Sequence, residues 1–172
     1  MNLYTSDLHF NHENVREYCG RPFPTKEEHD QAMIRYWNSV VSKSDTTYII
    51  GDFGFGDKEY LRHIASQLNG RKYLISGNHD EQNKLKWNLL PYIQVIPRSC
   101  MVIINDMGRK ALLVHDSADI GKKIQEEVLD IVDLVICGHV HKHWKNTIIK
   151  GKPIYNVGVD VRNYRPVRMS QL

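Results

Sequence analysis

Five short apolar stretches of the sequence each end in a side chain that can bind a metal ion. These side chains are Asp7, Asp52, Asn78, His115 and His139. His9 and His141 follow the first and the last of them by two residues, and in an extended segment residues two apart point the same way. Imidazole and oxygen donors without a thiolate suit Mn, Fe, Zn or Ni rather than Ca or Mg. The sequence therefore predicts a transition-metal site.

The seven candidate ligands are too many for one tetrahedral ion, but they fit two ions that share a bridging carboxylate. Asp52 lies in the middle of the order and is the natural bridge. Two metal ions about 3.5–4 Å apart can activate a hydroxide and hold the oxygens of a phosphoryl group. Asp52, Asn78 and His139 directly follow glycine, which permits the tight backbone turn that would aim each ligand back at a sheet edge.

Secondary-structure elements must position these residues. Predicted strands alternate with predicted helices early in the chain, and strands cluster late in the chain. Apolar and β-branched runs predict strands at 3–6, 46–50, 71–76, 92–96, 100–104, 111–114, 134–137, 146–149 and 154–157. Helices are predicted at 13–18, after a capping box at Thr25 to Glu28, at 57–68, at 81–90, and around Ile120, Ile124, Val128 and Val132. This order indicates an α/β sandwich around a mixed sheet. Ligands of such sheets bind beyond the carboxyl ends of the strands, where we expect the seven side chains to converge.

Length and composition restrict the class of protein. A chain of 172 residues suits one domain, so we expect a single domain over 1–172. The net charge is only +3 and the cations are scattered, which argues against duplex nucleic acid as a partner. Cys19, Cys100 and Cys137 lack CxxC spacing and are expected to be free thiols. Because we find neither a signal-peptide pattern nor an apolar run of about 20 residues, we expect a cytoplasmic protein without a membrane partner.

The candidate ligands also form a recognisable series of blocks. In order, the blocks are Asp7-x-His9, Gly51-Asp52, Gly77-Asn78-His79-Asp80, His115 and Gly138-His139-x-His141. This series resembles the full signature of the calcineurin-like metallophosphoesterase superfamily, and the chain is most similar to its small single-domain bacterial and phage phosphoesterases. The narrower likeness lies in three stretches, at 6–10, 21–23 and 156–160.

The resemblance implies a four-layer α/β/β/α sandwich with mixed sheets and two divalent transition-metal ions, Mn first and Fe, Zn or Ni as alternatives. It implies one ion held by Asp7, His9, Asp52 and His141, and a second held by Asp52, Asn78, His115 and His139. The fourth block departs from the pattern, because many members have a second His or a Gly near the ligand where this chain has Asp116. That carboxylate adds negative charge near the expected phosphate position and leaves the choice of substrate open.

The resemblance further implies a phosphodiesterase in which a metal-bridging hydroxide is the nucleophile and His79 is the general acid. Asp80 would hold the tautomer of the His79 ring and raise its basicity. The expected substrate is a small phosphoester or nucleotide. His12, Arg21 and Arg162 are candidate substrate-binding residues, with a solvated loop for His12 and packing of the C-terminal tail for Arg162 as alternatives. The alternative functions are a non-catalytic scaffold of the same fold and a nuclease acting on DNA or RNA. The oligomeric state stays open.

Overall fold

Two β-sheets stacked face to face form the centre of the molecule in the computed structural model, which describes residues 1–82, 89 and 91–172. Four parallel strands make the first sheet, in the order β1 (Asn2–Thr5), β2 (Thr46–Ile50), β3 (Arg71–Ile75) and β4 (Gln94–Ile96). Five strands make the second sheet: β5 (Val102–Asp106), β6 (Arg109–Leu113), β7 (Leu134–Cys137), β8 (Asn146–Ile149) and β9 (Lys152–Asn156). Its spatial order is β5-β6-β7-β9-β8, with antiparallel pairing at both edges and parallel pairing between β6, β7 and β9. The second sheet is thus mixed, as predicted, whereas the strands of the first all run parallel.

Helices cover the outer face of the first sheet. The described helices are α1 (Val15–Tyr18), α2 (Lys26–Asn38), α3 (Lys58–Gln67) and α4 (Asn78–Gln82). The N-cap predicted at Thr25 is confirmed, because its side chain accepts a hydrogen bond from the backbone N–H of Glu28 at 3.1 Å. Helix α4 begins at Asn78, and the predicted helix at 81–90 extends beyond it into positions outside the described residues.

Three layers of apolar side chains hold the sheets and helices together. Tyr4 and Ile50 of the first sheet pack on Leu113 and Ile136 of the second. The other face of the first sheet buries Trp37 of α2 with residues of α3. A third cluster covers the outer face of the second sheet. The predicted α/β/β/α order of layers is confirmed.

The last of these layers differs from the prediction in its secondary structure. The helix predicted around Ile120 to Val132 is wrong, because the segment contains 3₁₀ turns at Ser117–Asp119 and Glu126–Ile131 instead. Gly121 takes a left-handed φ of +82° and its N–H donates to the carbonyl of Ile124 at 2.8 Å, which ends any helix there. Val128, Leu129 and Val132 still pack on the sheet, so the periodicity predicted the buried face and not the helix.

The three cysteines are free, as expected. No helix in the described part of the chain combines the length and the apolar character needed to cross a membrane.

Candidate metal centre

The carboxyl ends of β1, β2, β3, β6 and β7 bring the predicted ligands together at one end of the sandwich. Two sets of three side chains each place their donor atoms within 4.8 Å of one another, namely Asp7, His9 and His141, and Asp52, His115 and His139. Asn78 joins the second set, because its Oδ1 lies 3.0 Å from Nε2 of His115. We call Asp7, His9 and His141 the first ligand group, and Asp52, Asn78, His115 and His139 the second ligand group.

The two ligand groups meet at Asp52. Its Oδ2 lies 3.5 Å from Nε2 of His115 in its own group and 3.7 Å from Nε2 of His9 in the other. The carboxylate is almost fully buried. Asp52 therefore lies between the two groups, where a shared ligand would have to lie.

Backbone conformation explains how short strand ends turn their side chains inward. Asp7, His9, Asp52, His139 and His141 all have left-handed backbone, with φ between +47° and +70°. Such φ values are uncommon for residues other than glycine and cost free energy, so they persist where the surrounding structure imposes them, typically at functional sites. The ligand residues themselves, rather than only the glycines before them, make the tight turns.

Two of the preceding glycines are needed for space instead. Gly77 and Gly138 are not among the residues with positive φ. A Cβ atom on Gly77 would collide with Oδ1 of Asp52, and one on Gly138 would collide with the Ser6 hydroxyl and the Asp7 carboxylate. The expectation that glycine supplies a turn is therefore wrong at these two positions, because close approach to a ligand side chain is what excludes larger residues.

His9 has the environment of a metal ligand. The residue is 3% exposed, and neither ring nitrogen has a hydrogen-bond partner among the residues that the structure describes. Burial lowers the pKa of His9, which keeps the ring neutral and leaves a lone pair for a metal ion. Buried polar groups without partners are rare, so these nitrogens fit a divalent cation.

His141 is held by a buried chain of charged groups. Its Nδ1 lies 2.7 Å from Oδ2 of Asp160 and 3.3 Å from Sγ of Cys19. Burial alone would lower the pKa of His141, but Asp160 outweighs that effect and the pKa rises to about 10. Arg21 in turn binds Asp160 through Nε and Nη2, each at 2.9 Å. This chain fixes the ring orientation of a first-group ligand.

The prediction that Arg21 binds substrate is wrong. The guanidinium is fully buried, and besides the two bonds to Asp160 it donates to the carbonyls of Leu8 and Asp7 at 2.9 and 2.7 Å and contacts Nε2 of His29 at 2.9 Å. A guanidinium has five N–H donors, and these contacts use all of them. Arg21 therefore positions the loop that carries Asp7 and His9.

His115 of the second ligand group takes its orientation from the main chain. Its Nδ1 lies 2.8 Å from the carbonyl oxygen of Ile50, so Nε2 faces Asn78 and Asp52. Burial alone would lower the pKa of His115, but Asp52 and Asp7 outweigh it and the pKa rises to about 9. The surrounding carboxylates thus favour positive charge at this position, and a divalent cation between these oxygen and nitrogen donors would supply it.

Asp80 binds the main chain around Asp52. Its two carboxylate oxygens accept hydrogen bonds from the backbone N–H groups of Asp52, Phe53 and Gly77 at 2.7, 2.9 and 2.8 Å. Burial, the largest influence, raises the pKa of Asp80 to about 6. These bonds give Asp80 a positioning role that the sequence did not predict, while its effect on the His79 ring stays a prediction.

A cavity of about 670 Å³ opens directly over both ligand groups. His9, His139 and His141 form its floor with His79, whose side chain is 35% exposed. The backbone N–H of His79 donates to Oδ1 of Asp52 at 3.1 Å, and its ring Nε2 lies 4.0 Å from Oδ2 of the same carboxylate. The His79 ring therefore borders both Asp52 and the open space in which a substrate would lie.

The other two candidate substrate-binding residues, His12 and Arg162, lie in different places. His12 lines the same cavity, while its Nδ1 accepts hydrogen bonds from the N–H groups of Asn14 and Val15 at 3.2 and 3.0 Å. Its contact with substrate stays a prediction. The prediction for Arg162 is wrong, because its Nε donates to the carbonyl of Asn156 at 2.7 Å and it lines a different cavity.

Asp116, the departure from the family pattern, also lines the cavity over the ligand groups. Its Oδ2 lies 3.7 Å from Nε2 of His139 and 4.0 Å from Nη2 of Arg98. Its Oδ1 accepts the N–H of Ala118 at 2.9 Å. A negative charge therefore stands beside the most exposed member of the second group, since the His139 side chain is 41% exposed.

Asp160 is the residue of the site that the sequence did not identify. It lies 139 residues from Arg21 and 19 from His141 along the chain. Both 21–23 and 156–160 stood out as resembling the same narrower group of phosphoesterases. That shared likeness could have drawn attention to Asp160. It did not indicate that Arg21 and Asp160 form an ion pair.

The calcineurin-like phosphoesterase family matches the chain over residues 3–120. An uncharacterized protein of Methanocaldococcus jannaschii is 31% identical over 169 residues, which are 95% of this chain and 84% of that protein. The gene 66 protein of Mycobacterium phage L5 is 29% identical over 158 residues, 80% of this chain and 76% of that protein. The crystal structure of a protein of unknown function from Aquifex aeolicus superposes with a TM-score of 0.75 at 27% identity, covering 99% of this chain and 96% of that one. Since the family match spans more than half of its length, the chain belongs to the calcineurin-like phosphoesterase family.

Proposed function

We propose that this protein is a dinuclear metal-dependent phosphohydrolase that cleaves phosphodiesters. The observation that carries the proposal is the meeting of two ligand groups at Asp52, whose Oδ2 lies within 3.7 Å of a histidine nitrogen from each group. One ion would be held by Asp7, His9, His141 and Asp52. The other would be held by Asn78, His115, His139 and Asp52.

Two divalent ions supply the chemistry that phosphate ester hydrolysis requires, because they lower the pKa of a water molecule and neutralise charge on the phosphoryl oxygens. Nitrogen and oxygen donors suit Mn, Fe, Zn or Ni, of which Mn is the first expectation. The protein contributes the fixed geometry, through the buried chain behind His141 and the main-chain contacts of Asp52 and His115.

His79 is the proposed proton donor. Its ring borders the cavity beside Asp52 and is partly exposed, so it can reach an oxygen atom of a bound ester. The leaving alkoxide needs a proton as the bond between phosphorus and oxygen breaks, and a positioned imidazolium can give it. His12, on the same cavity wall, is the proposed contact for the leaving group.

A preference for diesters over monoesters is supported by Asp116. A phosphomonoester carries up to two negative charges near neutral pH, whereas a diester carries one. The carboxylate of Asp116, 3.7 Å from His139, would repel the additional charge. The cavity, lined by His12 and Lys142 among others, would leave room for leaving groups of different shapes.

The test is hydrolysis of bis-p-nitrophenyl phosphate by the purified protein with Mn²⁺. We expect turnover, and His79→Ala should lower kcat by about 10²–10⁴ while the metal content stays unchanged. His63→Ala, which changes an exposed histidine of α3, is the matched control and should retain full activity. Two bound ions without turnover would refute the hydrolase and favour the scaffold, whereas equal activity of the His79 and His63 variants would refute the assigned role of His79.

A further inference from the structure

A second cavity, lined by basic residues, lies away from the ligand groups. It has a volume of about 560 Å³ and shares no lining residue with the cavity over the candidate metal centre. Four of the residues that line it are cationic, namely Lys145, Arg162, Arg165 and Arg168. We call this the basic cavity. None of the described residues that line it is acidic.

The cations of the basic cavity lack counterions. Within the described part of the chain, none of the four forms an ion pair with a carboxylate. Isolated surface cations are ordinary, but Arg162 is only 7% exposed. Burial lowers the pKa of Arg162, because part of the guanidinium is shielded from water. A buried charge usually has a partner of opposite sign, because desolvation without one is costly.

The hydrogen bonds of Arg162 satisfy only part of its guanidinium. Nε donates to the carbonyl of Asn156 at 2.7 Å and Nη2 to Oδ1 of Asn146 at 2.9 Å. Both partners are neutral. Among the described residues, Nη1 has no hydrogen-bond partner and is not counted among the buried polar atoms, so it is open to the cavity. Arg162 is therefore held in place by the fold with donors left for a ligand.

The backbone of the last segment brings the other arginines to the same cavity. Asn163 and Tyr164 take left-handed φ values of +52° and +58°. Left-handed backbone is unusual for tyrosine. The resulting turn is closed by the N–H of Arg165, which donates to the carbonyl of Arg162 at 3.1 Å. The Arg165 guanidinium lies over the ring of Tyr36 at 5.0 Å, which restricts its orientation.

We propose that the basic cavity binds a small oligophosphate anion, such as pyrophosphate or the phosphate chain of a nucleoside diphosphate or triphosphate. Planar guanidinium groups match pairs of phosphate oxygens. Four cations exceed the charge of one phosphate group and suit two or three linked groups. The volume lies in the range of about 300–1,000 Å³ that is typical of small-molecule sites. Val40 and Pro166 add apolar surface beside the cations, which a nucleobase could cover.

Calorimetric titration of the full-length protein with pyrophosphate, in buffer without divalent metal, tests the proposal. We expect one site per chain. The double change Arg165→Ala and Arg168→Ala should weaken binding by more than about tenfold, because charge-assisted hydrogen bonds are lost. The double change Lys110→Ala and Lys122→Ala removes the same charge from exposed positions outside the basic cavity and should leave binding unchanged. Asp52→Ala, in the candidate metal centre, should also leave it unchanged.

Three results would overturn the proposal. They are absence of pyrophosphate binding, equal weakening by both double changes, and loss of binding in Asp52→Ala. Melting curves of all variants verify that each is folded. A single-stranded oligonucleotide of ten residues without terminal phosphates is the second ligand. If it binds more tightly than pyrophosphate and depends on the same arginines, the ligand is a nucleic-acid backbone and the small-molecule assignment is refuted. The outcome is independent of phosphodiesterase activity, since no metal or turnover is involved.

Discussion

The two ligand groups are built on the same kind of strand end but are held in place by different interactions. In the first group, His141 is bound by Asp160, which is bound by Arg21, so two charged side chains support one ligand. In the second group, hydrogen bonds with main-chain groups provide the support. The carbonyl of Ile50 binds His115, and Asp80 fixes the N–H groups around Asp52.

This difference has a physical consequence. A ligand held by a buried ion pair depends on charge balance, because removal of one partner leaves the other buried and unpaired. A ligand held by main-chain groups depends on the conformation of the strand ends, which the sheet itself stabilises. Changes near the first group should therefore alter the affinity of one metal site as well as stability, while changes near the second should alter mainly stability.

The largest effect is expected at Asp52, the residue that both ligand groups would share. Asp52→Ala should reduce the bound metal below one ion per chain. Substitution of a residue that only supports a metal ligand typically lowers activity by about 10–100-fold, and we expect a larger loss in Asp52→Ala. Elemental analysis by mass spectrometry and the rate with bis-p-nitrophenyl phosphate measure the two effects. Asp130→Asn, at an exposed carboxylate, is the control. Retention of two ions by the Asp52 variant would refute the shared ligand.

A smaller and more selective effect is expected from the first group. Asp160→Asn removes the charge behind His141 and should weaken one of two Mn²⁺ sites by about 10–100-fold. Calorimetric titration of metal-free protein resolves the two sites. Cys19→Ser changes the other contact of His141 Nδ1 and should alter affinity by less than about threefold, because a thiol is a weak hydrogen-bonding group. Equal weakening of both sites by Asp160→Asn would contradict separate support.

The matched change behind the second group is Asp80→Asn. An amide has one acceptor oxygen, so one of the three buried N–H groups that Asp80 binds loses its partner. We expect a loss of about 2 kcal/mol in the free energy of unfolding and a melting temperature lower by about 4–8 °C. Denaturant and thermal melts of metal-free protein measure this loss. Unchanged stability would show that the N–H groups of this loop do not depend on Asp80.

The smallest effect on activity is expected at Asp116, whose carboxylate lies near His139 of the second ligand group. Asp116→Asn removes a negative charge near His139 and should raise the ratio of monoester to diester hydrolysis by about 2–5-fold, the value of one partly screened charge interaction. Rates with p-nitrophenyl phosphate and bis-p-nitrophenyl phosphate give the ratio. Asp130→Asn again serves as the control, and a lower ratio in the Asp116 variant would refute the proposed charge selection.

Local signals in the sequence predicted much of the fold. The positions of the strands along the chain were predicted from apolar runs, several of which end in polar ligands, and the start of α2 from Thr25. Prediction failed in 117–131, where the apolar period is present but Gly121, with its left-handed backbone, interrupts the helix. The side chain of Arg21 shows the same limit. The sequence does not reveal whether an arginine binds substrate or, like Arg21, uses all its donors within the fold.

The sequence by itself determined which side chains could form the centre, because residue type and the end of a strand are local properties. Only the tertiary structure decided how these side chains are held, through Arg21 and Asp160, residues 139 positions apart. It also decided that Gly77 and Gly138 provide space rather than turns, and that Lys145 and the arginines at the end of the chain line one cavity. Contacts between distant segments depend on the packing of two sheets, and a pattern read along one strand does not contain that information.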